Sequence, residues 1–165
     1  MTHITLRDGE GQEVVRAYHD SYAGYDPHLC INFNYDLGDE RHALIVEAEW
    51  LIRILTCLQV EHPIETDLNH YPPIPAGTRG IRAPYGQRES EVNGLKWIPT
   101  EEKPLVIGPA REIQFSRENV LALMQWIIDF KSWDQDEIHH LEVRDYVRKD
   151  KLRESRERLV RYFNL

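Results

Sequence analysis

The sequence predicts an α+β fold, a small antiparallel sheet covered by two core helices, and three observations carry that expectation. Residues 28–35 alternate apolar and polar positions as a half-buried strand does, and residues 105–115 read as a β-hairpin. Two long amphipathic stretches, about 40–60 and 117–131, supply helices wide enough in their apolar face to cover a sheet. The resulting order is strand, helix, strand, helix, long loop, hairpin, helix, helix, which fits α+β better than the runner-up, a parallel α/β sheet.

The elements follow from the residues. Ile4 and Leu6 alternate with Thr5 and Arg7 before the turn-forming run Asp8-Gly9-Glu10-Gly11, giving a short strand closed by a turn. Val14, Val15, Tyr18 and Tyr22 recur at spacings of three and four, so residues 12–22 are expected as a short helix, with an extended strand as the alternative. In the strand 28–35, Leu29, Ile31, Phe33 and Tyr35 share one face, and Cys30, Asn32 and Asn34 the other. Asp36-Leu37-Gly38-Asp39 breaks it, and Asp39 is expected to cap a helix over 40–60 whose stripe runs through Leu44, Ile45, Ala48, Leu51, Ile52, Leu55 and Leu58. Glu47, Glu49 and Arg53 mark the open side of that helix, because unpaired charges are costly to bury.

Residues 62–103 are rich in proline and glycine and form a long irregular region in which Gly94–Pro99 is a candidate short strand. Ser116 then caps the helix over 117–131, where Val120, Leu121, Met124, Ile127 and Ile128 line one face. The last helix, 135–163, is charged and thin in apolar residues, with Leu152 alone between Arg148 and Arg158. Acid-before-base pairs at four-residue spacing, Asp145 with Lys149, Glu154 with Arg158 and Glu157 with Arg161, are expected to support it. Such a helix either projects and docks on a partner or lies across its own chain.

The chain has 165 residues, which fits one α+β domain over 1–165. No window approaches the ~18 apolar residues of a membrane span, and the first residues lack a basic region followed by an apolar run, so a soluble cytoplasmic protein with no membrane partner is expected. Cys30 and Cys57 have no metal-ligand spacing around them and read as free thiols.

The net charge of −8 is unevenly spread, at −9 over residues 1–70, −3 over 71–142 and +4 over 143–165. The acidic half repels phosphate backbones, which makes nucleic acid an unfavourable partner for it and a basic protein a favourable one. The basic end offers a second route, homodimerisation or nucleic-acid binding through the C-terminal helix.

No motif fixes a chemistry. Asp136, His139, His140 and Glu142 are the densest set of metal-ligating types, but they lack the HExxH order and read as a helix start; no metal or cofactor is expected. Tyr18-His19-Asp20-Ser21 holds catalytic residue types as neighbours, whereas a triad is assembled across a fold. Arg79, Arg82 and Arg88 in a glycine-rich stretch are the candidate phosphate grip, without a Walker or dinucleotide glycine pattern.

The leading expectation is a non-catalytic acidic interaction module, an inhibitor or neutralising protein of immunity or anti-defence type, that binds a basic, nucleic-acid-handling partner. Its binding residues are Asp36, Asp39, Glu40, Glu47 and Glu49, with Tyr71, Tyr85 and Trp97 as aromatic anchors. The alternatives are an enzyme acting on a phosphorylated or nucleotide-like molecule, and an assembly or nucleic-acid-binding protein using the helix at 144–161.

Overall fold

A computed structural model of the chain describes residues 2–21, 29–37, 40–66, 81–82, 95–107, 113–129 and 142–165. The strands are β1 (Thr2–Arg7), β2 (Glu13–Ser21), β3 (Leu29–Leu37), β4 (Glu40–Glu47), β5 (Ile64–Thr66), β6 (Ile81–Arg82), β7 (Leu95–Trp97), β8 (Leu105–Ile107) and β9 (Ile113–Phe115). The helices are α1 (Ala48–Cys57), α2 (Arg117–Ile128) and α3 (Glu142–Phe163). The class is α+β, with the strands shared between two antiparallel sheets, β1-β2-β3-β4-β6 and β5-β7-β8-β9.

The first sheet begins as a meander. The Asp8 Oδ1 atom accepts from the amides of Glu10 and Gln12, both at 2.9 Å, and the Gly11 amide donates to the Asp8 carbonyl at 3.0 Å. Gly11 takes φ +83°, the left-handed conformation that a side chain disfavours, so the turn needs glycine there. The helix expected over 12–22 is instead β2, paired on both sides with Ala17 opposite Ile4 and Phe33. The helical spacing of its apolar residues loses to ladder pairing, which satisfies its backbone and buries Val15 and Ala17 beside Ile31 and Phe33.

The helix expected over 40–60 is likewise shorter than its pattern. Its first eight residues are β4, with Leu37 opposite Glu40 across Gly38-Asp39, so Asp39 separates two strands where a helix cap was expected. A Gly-Asp pair between apolar runs is itself a hairpin signal, and Ile45 and Val46 favour a strand. Only from Ala48 does the chain turn helical, burying Leu51, Ile52, Ile54 and Leu55.

Within 62–103 lie the short strands β5, β6 and β7, and the strand expected within Gly94–Pro99 is β7. The hairpin β8–β9 is present, pairing Leu105 with Phe115. Ser116 caps α2 as expected, its side chain accepting from the Asn119 amide. The rings of Phe33 and Phe115, 6.0 Å apart and edge to face, join the two sheets in one core.

The last helix packs against α1 and α2 of its own chain. Leu152 and Leu159 are fully buried, and Ser155 between them donates its hydroxyl to the Thr56 carbonyl at 3.1 Å. The expected pairs of Glu154 with Arg158 and Glu157 with Arg161 do not form. Arg158 turns to Ser155 at 3.0 Å, and Asp150 forms an ion pair with Arg153 at 2.7 Å. Asp145 and Lys149 fall in α3, outside the described side chains. The helix ends on Asn164 at φ 59°, with the Asn164 amide bonded to the Arg161 carbonyl and the Leu165 amide to the Val160 carbonyl, a Schellman arrangement. No helix among the described residues is long and apolar enough to cross a membrane.

Candidate functional site: an acidic end of the first sheet

In an antiparallel meander, alternate turns fall at the same end. Val15 pairs with Tyr35 and Leu37 with Glu40, so the β1–β2 turn shares one end of the sheet with the close of β3 and the opening of β4. This gathers Asp8, Glu10, Glu13, Asp36 and Glu40 at a single edge of the molecule, from positions up to 32 residues apart in sequence.

Two further segments converge on the β1–β2 turn. Asn119, 7% exposed in the first turn of α2, donates its Nδ2 to the Arg7 carbonyl at 3.0 Å and so ties the helix to the end of β1. The turn between β7 and β8 is closed by the Ile98 amide on the Pro104 carbonyl, 2.9 Å, and the Glu101 amide on the Ile98 carbonyl, 3.1 Å. Arg117 reaches back from α2 to donate Nη2 to the Thr100 carbonyl at 3.1 Å. Between these three segments lies an open groove of about 610 Å³.

Asp8, Glu10, Glu102 and Glu118 supply the carboxylates of the groove, and Arg7, Lys103 and Arg117 its cations. The groups are engaged unequally. Asp8 is consumed by its own turn, Arg7 donates Nη1 to the Gly11 carbonyl at 3.0 Å, and Arg117 lies over the Phe163 ring. Among the described residues, the side-chain carboxylates of Glu10, Glu102 and Glu118 have neither an ion-pair nor a hydrogen-bond partner. Glu101, beside them, meets Lys96 at 3.6 Å. The Nε of Arg117 is buried without a hydrogen-bond partner. These are groups for holding charged and hydrogen-bonding ligands. The one hydroxyl nucleophile in the lining, Ser116, is occupied as a helix cap.

The residues expected to bind a partner are distributed differently. Asp36 is exposed near the end of β3, opposite Arg41, and Glu40 opens β4 at the same end. Glu47 closes β4 at the far end, about seven residues or ~23 Å along the strand, and Glu49 follows in α1. Glu40 and Glu47 thus stand at opposite ends of β4. Asp39, Tyr71 and Tyr85 lie outside the described residues.

Trp97 corrects the expectation placed on it. It is 0% exposed, donates Nε1 to the Gln59 carbonyl at 2.8 Å and packs edge to face with Phe163 at 6.4 Å. A tryptophan on a strand next to Pro99 reads as a loop anchor only when the strand's burial is invisible; here it is the largest fully buried side chain.

Of the alternative phosphate grip, Arg82 belongs to β6, paired with Ile45, and Arg79 and Arg88 lie outside the described residues. Asp136, His139 and His140 also lie outside them, and Glu142 opens α3. Among the described residues, no group of three or more His, Cys, Asp or Glu is placed to hold a metal ion. The run from Tyr18 to Ser21 lies on β2, where neighbours point to opposite faces; Tyr18 accepts from Arg16 at 3.2 Å and its ring lies 5.7 Å from that of His3. Cys57 ends α1 as a half-buried thiol in no disulfide, whose pKa burial pushes up and a hydrogen bond with Thr56 partly restrains.

What sequence reading missed is Glu10, Glu102 and Glu118. Each carried a weak signal: a turn acid, an acid beside a proline-closed turn, and an acid in the first turn of a capped helix. Only their convergence makes a site. Comparison with protein-family models, with curated proteins and with solved structures returns no match.

Proposed function

We propose that the protein is a non-catalytic interaction module that docks a basic, nucleic-acid-handling protein at the acidic end of its first sheet, as an inhibitor or neutralising protein of immunity or anti-defence type. The observation that carries the reading is the groove between the β1–β2 turn and α2, where the carboxylates of Glu10, Glu102 and Glu118 stand without partners among the described residues. Carboxylates left free on a rigid frame attract lysine and arginine side chains and steer their approach. The frame is rigid because Asp8, Asn119 and Ser116 lock the turn, the strand end and the helix start to one another. Asp36, with Glu40 beside it in the same hairpin, extends the acidic edge.

The test is to capture partners from a lysate of the source organism with the wild-type chain and with the Glu10→Lys/Glu118→Lys variant, identify them by mass spectrometry, and measure association by stopped flow. The expected partner is basic, and its association with the variant is at least tenfold slower at low salt, with a flatter salt dependence. An unchanged on-rate removes the acidic groove from the interface and ends the proposal.

A further inference from the structure

We infer that α3 is a releasable strap, which opens away from α1 and α2 as one unit while the sheets and α2 stay folded. The seam it makes is thin. Of its side chains from Asp150 onward, Leu152, Ser155 and Leu159 are fully buried, at spacings of three and four, with Val160 and Phe163 partly buried beside them. The centre of that seam is a serine. Its hydroxyl bonds the Thr56 carbonyl at the end of α1, and the Nε of the next residue, Arg156, donates to the Leu121 carbonyl of α2 at 3.0 Å.

Such anchors differ from apolar packing in what release costs. A hydroxyl or guanidinium leaving a carbonyl regains water, so the net gain of each bond is small, whereas buried leucine surface has no such compensation. From Asp150 to the end of α3 the apolar contribution comes from two leucines and the helix end. In α2, by contrast, eight of twelve residues are buried, seven of them apolar. Opening free energies follow this density of apolar contact, and elements held mainly by polar bonds near the surface open first. Lys151, Arg153, Glu154, Glu157, Arg158 and Arg161 are exposed in the docked state and lose no burial on release.

At its end, Phe163 lies against Trp97 and under the Arg117 guanidinium, which makes this ring the clasp. Release exposes Leu152 and Leu159 and the part of the core they now close. Of the basic residues of this helix, Arg156 is bonded to the Leu121 carbonyl of α2 and Arg153 is paired with Asp150.

Native-state hydrogen exchange on the full chain, followed in low denaturant, tests the strap. Amides of residues 152–160 are expected to show protection at least tenfold lower than those of 120–127, with a weaker denaturant dependence. Leu159→Ala should lower α3 protection by a further factor of about ten and leave α2 unchanged, and Ser155→Leu should raise α3 protection. If Ser155→Leu fails to fold, the alanine variant still decides. One common rate and denaturant slope for α2 and α3, or equal loss of protection in both on Leu159→Ala, overturns the inference.

Discussion

The Cζ atom of Arg117 stands 5.6 Å above the centre of the Phe163 ring, joining the first residue of α2 to the last residue of α3. A cation at a helix N-terminus opposes the helix dipole, and among the described residues this one has no carboxylate within ion-pair distance. The ring face and the Thr100 carbonyl are what stabilise it there. Phe163→Leu keeps an apolar side chain and removes the ring, so urea denaturation should show a loss of about 0.5–2 kcal/mol. A double-mutant cycle with Arg117→Met should return a coupling of similar size; zero coupling would mean that the stacking is incidental.

Asn119 is the bond between α2 and the edge of the first sheet. Asn119→Ala leaves the Arg7 carbonyl without its donor in a nearly closed environment, and a loss of about 1–3 kcal/mol is expected. Asn119→Asp should be at least as damaging, since a carboxylate accepts but does not donate. Equal stability of the Asp variant and wild type in urea would contradict the geometry of this contact.

Trp97 behaves as core. Trp97→Ala should cost about 3–5 kcal/mol in reversible unfolding, far beyond what a surface anchor would show. Trp97→Phe keeps most of the ring and drops the bond to Gln59, so an intermediate loss is expected.

Cys57 makes stability depend on pH at the alkaline end. Burial raises its folded pKa, so the unfolded chain loses the thiol proton first. The contribution is fully present below the unfolded pKa of about 8.5 and is lost as pH rises through the folded value. In a Cys30→Ser background, Ellman's reagent should react with Cys57 more slowly than with a free cysteine peptide at pH 8, and Cys57→Ala should flatten the alkaline fall in stability. Reaction as fast as the peptide would show an accessible, unperturbed thiol.

Local chemistry was legible wherever one segment decides its own structure. The turn at Asp8–Gly11, the alternation of Ile31, Phe33 and Tyr35, the Ser116 cap and the apolar face of α2 could all be read directly, because turns, pleats and caps are set by neighbouring residues. Segments 13–21 and 40–47 could not, since Val14, Val15, Leu44 and Ile45 satisfy helical and extended spacing alike and pairing partners elsewhere in the chain choose between them.

The sequence by itself determined the α+β class, the acidic excess of the first half and the weak apolar character of the last helix, since composition and short-range periodicity suffice for these. The tertiary structure alone decided that Glu10, Glu102 and Glu118 face one groove, that Trp97 is core, and that α3 lies on α1 and α2. The reason is physical: strand pairing and side-chain burial are contacts between residues far apart in the chain, and no local pattern encodes which distant surface a segment will meet.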